Sequence, residues 1–435
     1  MSKTNNTQNA AQNPKPVTAA IVGAGHRSMI YAAYAKEHPD ELKIVAVAEP
    51  NKETRLVCAK EYDIPPEMQF STAEELSKVP RLADAVINGT MDRDHVATAV
   101  PLLKRGYDMI LEKPFACSRG ELYLLAETAK QYNSKILICH VLRYSAFYAA
   151  IKEVVSGGKI GEIIAMHTSE DVSYHHFATS YVRGKWANKE ISGTTSLLAK
   201  CCHDIDIIMW MMDPVVPDCV MSSGALKYFI PENAPEGSAQ RCTECRYEDT
   251  CPLSAKRIYL DMPHKWDFYV WPTIHDAPEQ ELYEDLKTNP YGRCAFKCGN
   301  NVNDRQSVLI RFKNGAVATH SLTSNTAYSK RIIRIVGTKG EIEGVFEDQK
   351  FTVSLIDPTA ENDHTETVYD LSGDASAFVN HGGGDYGIVR DFVKCVRGEE
   401  TSQSCTALEN SLNGHLAVFA ADESNDNGGA PVKVF

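Results

Sequence analysis

Short apolar runs alternate with amphipathic stretches through the first 140 residues of the chain. Val17–Val22, Ile44–Ala48, Ala83–Ile87, Met109–Leu111 and Ile136–Cys139 are the apolar runs, as short as buried strands are. Between them lie helical stretches: Met29 to Glu37, Asn51 to about Tyr62, and Gly120 to Tyr132. A further helix is expected from Asp94, as its cap, to Gly106, which is suited to end it. This alternation predicts βαβ units around a parallel sheet.

After Arg143 the rhythm changes. One helix, Phe147 to Ser156, stops at Gly157-Gly158, and strand patterns then dominate. Ile163–Ser169 is apolar or alternating. Ser307–Phe312 and Ala316–Leu322 flank Lys313-Asn314-Gly315, a strong hairpin signal. Arg331–Val336 and Glu341–Val345 flank a second turn at Gly337 to Gly340. The second half is therefore expected to be a mainly antiparallel sheet with helices against it, such as Ser196–Met211 and Tyr386–Cys395. Tyr228 to Asn303 is irregular and rich in Pro and Cys. The fold class is α/β plus α+β.

A chain of 435 residues with 43% hydrophobic composition exceeds one ordinary core, so two domains are expected. The formal charge of −12 repels phosphate backbones and argues against nucleic acid as a partner. No apolar run is long enough to span a bilayer. The Asn- and Gln-rich residues 1–16 lack the apolar core of a signal peptide and read as a disordered tail, which predicts a cytoplasmic protein.

The first strand runs into Gly23-Ala24-Gly25-His26-Arg27-Ser28. Two glycines allow a tight turn and a close approach to a pyrophosphate at the next helix N-terminus, with Ser28 in place of a third glycine. Glu49 ends the second strand, where a carboxylate accepts ribose hydroxyls and repels a 2′-phosphate. The pair predicts a Rossmann domain that prefers NAD to NADP.

Glu112-Lys113-Pro114 closes the strand Met109–Leu111. With the glycine loop, Glu49, Asn88-Gly89-Thr90 and His95, Val141-Leu142-Arg143-Tyr144, Gly158 to Glu162, and Phe419 to Ser424, the chain resembles the Gfo/Idh/MocA family of glucose–fructose oxidoreductases and inositol dehydrogenases. The resemblance spans nearly all of residues 17–435. It implies a Rossmann domain at 17–140 and a substrate-binding α+β domain at 141–435, carrying the Cys-rich insertion at about 228–303. It further implies that Gly23, Gly25, His26, Arg27, Glu49, Thr90, His95, Glu112, Lys113 and His140 surround the cofactor. Lys113 is expected beside the reacting hydroxyl, as a donor or, with a lowered pKa, as a partner in proton removal. The family's Asp-x-Gly-x-His helix motif falls on Ala199-Lys200-Cys201-Cys202-His203, so the histidine is kept and the aspartate is not. His203 and Lys200 join Lys113 as catalytic candidates, with Asp204 and Asp206 as possible orienting carboxylates. Arg143, Tyr174, Trp186, His381 and Asp385 are the substrate candidates.

Cys242-x2-Cys245-x5-Cys251 and Cys294-x3-Cys298 form a separate cluster. Four thiolates satisfy tetrahedral zinc, so a structural zinc on Cys242, Cys245, Cys251 and Cys294 is expected. An iron–sulfur cluster, disulfides and free thiols are the other readings.

These features predict an NAD-dependent oxidoreductase that removes hydride from a secondary alcohol of a sugar, inositol or sugar acid. Two alternatives stand beside it. One is a redox-neutral NAD-dependent glycoside hydrolase; the other is a catalytically silent NAD-binding protein. Relatives of this kind are usually oligomers, so a homodimer or homotetramer is expected.

Overall fold

A computed structural model describes residues 15–262, 266–271, 277–373 and 381–435. Residues 1–14 of the expected tail lie outside the described residues.

Six strands build the first sheet: β1 (Val17–Val22), β2 (Leu42–Ala48), β3 (Gln69–Phe70), β4 (Ala85–Asn88), β5 (Asp108–Leu111) and β6 (Ile136–Ile138). Every pair is parallel and the order is β3-β2-β1-β4-β5-β6. The winding reverses between β1 and β4, so a crevice opens beyond their carboxyl ends. The two-residue β3 has no periodicity to betray it in the sequence. The helix expected from Asp94 is shorter than its pattern. It runs His95–Leu103 after a 3-10 turn Asp92–Asp94, and the Asp94 side chain makes no capping bond. Asp94 already has helical dihedrals (φ −98°, ψ −8°), whereas a capping side chain needs extended ones.

The second sheet has nine strands: β7 (Ile163–Ser173), β8 (Pro217–Ala225), β9 (Arg305–Phe312), β10 (Val317–Thr326), β11 (Lys330–Gly337), β12 (Gly340–Val345), β13 (Lys350–Ile356), β14 (His364–Asp370) and β15 (Val432–Lys433). It is antiparallel except for the β7–β10 pair. Asn314-Gly315 makes the β9–β10 turn, with Gly315 at φ +90°. Burial alternates along β9, as it does where one sheet face meets a core. The buried helix Ser196–Met212 supplies that core, and the helix Leu408–Asp426 packs between it and the first sheet. Among the described residues, no helix is long and apolar enough to cross a membrane.

One late segment returns to the first sheet. The helix Gly384–Arg397 buries Ile388, Val389, Phe392 and Val393 against Val17, Ile21 and Tyr31. His381–Gly383 is thereby carried to the crevice. The insertion at 228–303 is closed on itself by an antiparallel bridge between Arg241 and Arg293.

Candidate active site

A cleft of about 550 Å³ opens at the β1–β4 crevice and faces the second sheet. Its walls come from Gly23 to Arg27, Glu49, Thr90 to Asp92, Lys113, the helix Ser196–Met212, Arg331 and His381.

The first end is made of backbone. Gly23 has φ +73°, and a Cβ there would lie 2.9 Å from the Thr90 backbone. Gly25 caps the helix His26–Glu37, which has no side-chain cap and no acidic residue in its first turn. A Cβ on Gly25 would meet nothing within 4 Å, so the loop leaves room where a ligand approaches. Unused N–H groups and an open glycine fit the pyrophosphate of a dinucleotide. The close packing usual for a third glycine is kept from the opposite side: a Cβ on Gly89 would lie 2.3 Å from Ser28 Oγ. Glu49 accepts hydrogen bonds from the N–H groups of Ala24 (2.9 Å) and Asn51 (2.8 Å) and lines the same end. His95 lies 2.7 Å from the Pro114 carbonyl and 3.0 Å from that of Thr90, joining the loops after β4 and β5.

Arg27 clamps three segments together. Its Nε donates to Glu112 Oε1 at 2.8 Å and its Nη2 to Asp385 Oδ1 at 2.6 Å. The Tyr31 hydroxyl donates to the same Glu112 oxygen. Burial would raise the Glu112 carboxyl, but Arg27 and Lys113 outweigh it and hold it below its ordinary range. Asp385 is held down to about 2, because the hydrogen bond from His381 and the charge of Arg27 overcome burial. His381 Nδ1 stands 3.1 Å from Asp385 Oδ2. The residues expected at 381 and 385 therefore divide: His381 faces the cleft, and Asp385 is buried behind it.

The second end is made of side chains. Lys113 Nζ donates to the Ala199 carbonyl at 2.9 Å. Ala199 and His203 are one turn apart on one helix face, so the ammonium sits beside the imidazole. The Ala199 carbonyl thus takes the ammonium where the resemblance leads one to expect a carboxylate. A nearby carboxylate was not read from the sequence: buried Asp92, which accepts from Trp186 Nε1 at 2.7 Å and lines the cleft. Its signal was its place, just past the carboxyl end of β4 at the switch point. The Lys113 pKa is raised, which suits the donor role of the two expected and not the lowered-pKa one. Burial pulls it down, but Cys202, Glu112 and Asp92 hold the positive charge more strongly.

His203 is buried and its Nδ1 has no partner among the described residues. Burial first, then Lys113, pushes its pKa well below the ordinary value, so the ring is neutral at pH 7. Its ring centroid lies 5.6 Å from that of His140 and 6.2 Å from that of His381. Lys200, the next residue along the helix from Ala199, also lines the cleft and lies 3.3 Å from Glu170 on β7. Burial lowers the Lys200 pKa despite that carboxylate. Arg331 shares Glu170 (2.6 Å) and Asp204 (3.2 Å).

Arg143, Asp204, Asp206, Tyr174 and His140 do not line the cleft. Arg143 is buried behind it, bidentate on Asp206 at 2.7 and 2.6 Å, so Asp206 neutralises Arg143 and does not orient His203. Asp204 is likewise committed to Arg331. Tyr174 turns its hydroxyl to Met262 Sδ at 3.5 Å, and His140 packs behind His203. The neighbouring His176 lines the cleft instead. Trp186 does line it, with Lys185 over its ring at 4.4 Å. The insertion adds two walls that were not among the expected site residues, Trp266 and Tyr269, stacked at 5.5 Å.

Cys242, Cys245, Cys251 and Cys294 line a second, small cavity inside the insertion, and Cys298 does not. None of the five forms a disulfide.

Comparison with known proteins agrees with this architecture. Residues 17–140 match the family model described as "Oxidoreductase family, NAD-binding Rossmann fold", and residues 152–434 match its "C-terminal alpha/beta domain". YteT of Bacillus subtilis (strain 168) is 25% identical over 343 residues, 75% of each chain. A levoglucosan dehydrogenase structure with NADH and L-sorbose shares the fold at a TM-score of 0.70 and 17% identity, covering 97% of this chain and 100% of that one. The WlbA dehydrogenase of Bordetella pertussis, with NADH and UDP-GlcNAcA, does so at 0.68 and 15%, covering 97% and 99%. With both domains matched and a cleft that fits a dinucleotide, the chain belongs to the Gfo/Idh/MocA family and is an NAD-binding oxidoreductase.

Proposed function

We propose that the protein oxidises a secondary alcohol of a carbohydrate, preferably one bearing an acid group. The observation that carries this reading is the pairing of the Lys113 ammonium, held at the Ala199 carbonyl, with neutral His203 one turn along the same helix. Bound NAD supplies a nicotinamide that accepts the hydride.

The chain's own groups do the rest. His203 takes the hydroxyl proton, which a neutral imidazole can accept. Lys113 donates a hydrogen bond to the substrate oxygen and steadies its negative charge as the proton leaves. Lys200, Lys185 and Arg331 give the substrate end its further cations, which suit a carboxylate on the sugar. Trp186, Trp266 and Tyr269 offer ring faces to the sugar's C–H surface. Arg27 and Asp385 position the glycine loop and His381 without touching the reacting atoms. Glu49 at the ribose position makes NAD, rather than NADP, the cofactor. We place the protein in the cytoplasm as a homodimer or homotetramer through the outer face of the nine-stranded sheet, where Ile164, Val317, Ile356 and Val368 are exposed.

The test begins with gentle purification and identification of any nucleotide released on denaturation. Sugars, sugar acids, inositols and aryl glycosides are then added while reduced nicotinamide is followed by absorbance. One reduced nicotinamide for each ketone formed is the expected result. Glycoside cleavage with no net reduction would replace this reading with the redox-neutral hydrolase. No reaction and unchanged nucleotide across all four classes would leave a silent binder.

A further inference from the structure

We infer that Cys242, Cys245, Cys251 and Cys294 hold one zinc ion, which fastens the insertion to the wall of the cleft. The site is separate from the proposed chemistry and does not depend on it.

Two distant stretches bring the thiols together. The Arg241–Arg293 bridge aligns them, and the Cys294 N–H donates to the Gln240 carbonyl at 2.8 Å. The four sulfur side chains then surround one cavity of about 20 Å³. That is room for about one water-sized sphere, hence for one ion and not for a cubane of four irons and four sulfides. The spare thiol is accounted for: Cys298 turns its Sγ to the Cys294 carbonyl at 3.2 Å.

A second observation points to an anionic centre. Arg183 is 2% exposed, and no carboxylate pairs with it among the described residues. Its Nε donates to the Arg293 carbonyl at 2.8 Å, and its Nη2 to the Leu253 carbonyl at 2.6 Å and towards Cys242 Sγ at 3.6 Å. Its Nη1 is buried without a partner among the described residues. A buried guanidinium needs a counter-charge. Four thiols cannot supply it, whereas four thiolates on a dication carry a net charge of about −2. Binding the ion expels the four thiol protons to solvent, and the zinc stays divalent.

Arg183 also explains what the centre does. It ends the segment Ala178–Arg183, immediately before Lys185 and Trp186 of the cleft. The insertion carries Trp266 and Tyr269, which line the same cleft. The ion therefore clamps the aromatic walls together. A tighter trio, Cys201, Asp204 and His320, lies with ligand atoms within 4.8 Å of one another, but Arg331 already neutralises its aspartate. The four thiols are less tightly grouped than that trio, but include no group so neutralised.

The experiment is metal analysis of the full chain purified without chelator. About one zinc per chain is expected, with no visible absorption band. Iron with acid-labile sulfide, or metal below about a tenth per chain, overturns the assignment. Cys245→Ser and Cys251→Ser are expected to lose the zinc, and Cys298→Ser to keep it; equal loss from all three overturns the ligand set. Should the variants fail to fold, the wild type is titrated with a mercurial while released zinc is read with a chromogenic chelator. Zinc leaving in step with thiol modification supports the site, and modification of every thiol without zinc release overturns it. The zinc-free protein is expected to be cut by protease within 228–303 at least about tenfold faster, as a metal-fastened segment would be; an unchanged rate overturns the clamping role.

Discussion

The two ends of the cleft are built on opposite principles. At the glycine-loop end, one strand, one turn and one helix within about a dozen residues supply backbone N–H groups and empty space. At the substrate end, Asp92, Lys113, His176, Lys185, His203 and Arg331 come from separate segments and meet as charged and neutral polar side chains, most of them partly or wholly buried. The first end owes its properties to dihedral angles, and the second to desolvation and pairing. Loss of a side chain should therefore leave the first end intact and disable the second.

The largest effect is expected for Lys113→Ala. Turnover should fall about 10⁴-fold, from loss of both the hydroxyl donor and the fixed charge, while NAD affinity measured by fluorescence titration changes little. Near-native turnover would break the division between the ends. His203→Asn should cost about 10³-fold. In the wild type the acid limb of kcat/KM should lie below pH 6.5, since burial keeps His203 neutral well below its ordinary range. The variant should lose that limb; an unchanged profile would transfer the base role elsewhere.

Arg27→Met sharpens the comparison from the other side, because Arg27 serves both ends. It would strand Glu112 and Asp385, which are 6% and 2% exposed, without their cation. A loss of about 3 kcal/mol in chemical denaturation is expected. Acid stability should follow the substrate-end histidines and their neighbours. His140, His203 and His415 are depressed well below 6.5 by burial, and His320 to about 4. Below pH 6.5 the unfolded chain binds protons that the folded protein refuses. Stability is thus full above 6.5 and falls with acid by up to about 1.4 kcal/mol per pH unit for each histidine. A flat denaturation midpoint from pH 7 to 5 would contradict the buried neutral rings. The smallest effect is expected for Glu49→Ala, a shift of about tenfold towards NADP in the ratio of kcat/KM values.

The same contrast explains what could be read from the chain. The glycine loop, the parallel strands and the Asn314-Gly315 hairpin are local, so residue order shows them. Lys113 and His203 were legible through motif order, and Ala199 was legible as a departure. What takes the place of a carboxylate at 199 was not, because it is a main-chain oxygen, which residue identity does not reveal. Arg143 looked like a substrate contact from its position after β6, but its burial on Asp206 is a tertiary fact. Trp266 and Tyr269 were hidden because an irregular, Pro-rich insertion carries no periodicity. The raised pKa of Lys113 depends on partners from three segments, which no local pattern encodes.

The measurement that bears most directly on the central claim uses a substrate found in the panel, deuterated on the carbon that bears the reacting hydroxyl. After a single turnover, the reduced nicotinamide is isolated and weighed by mass spectrometry. Hydride transfer in this cleft predicts that the deuterium is carried on the reduced nucleotide. Deuterium appearing in the solvent, with the nucleotide unlabelled, would contradict the account.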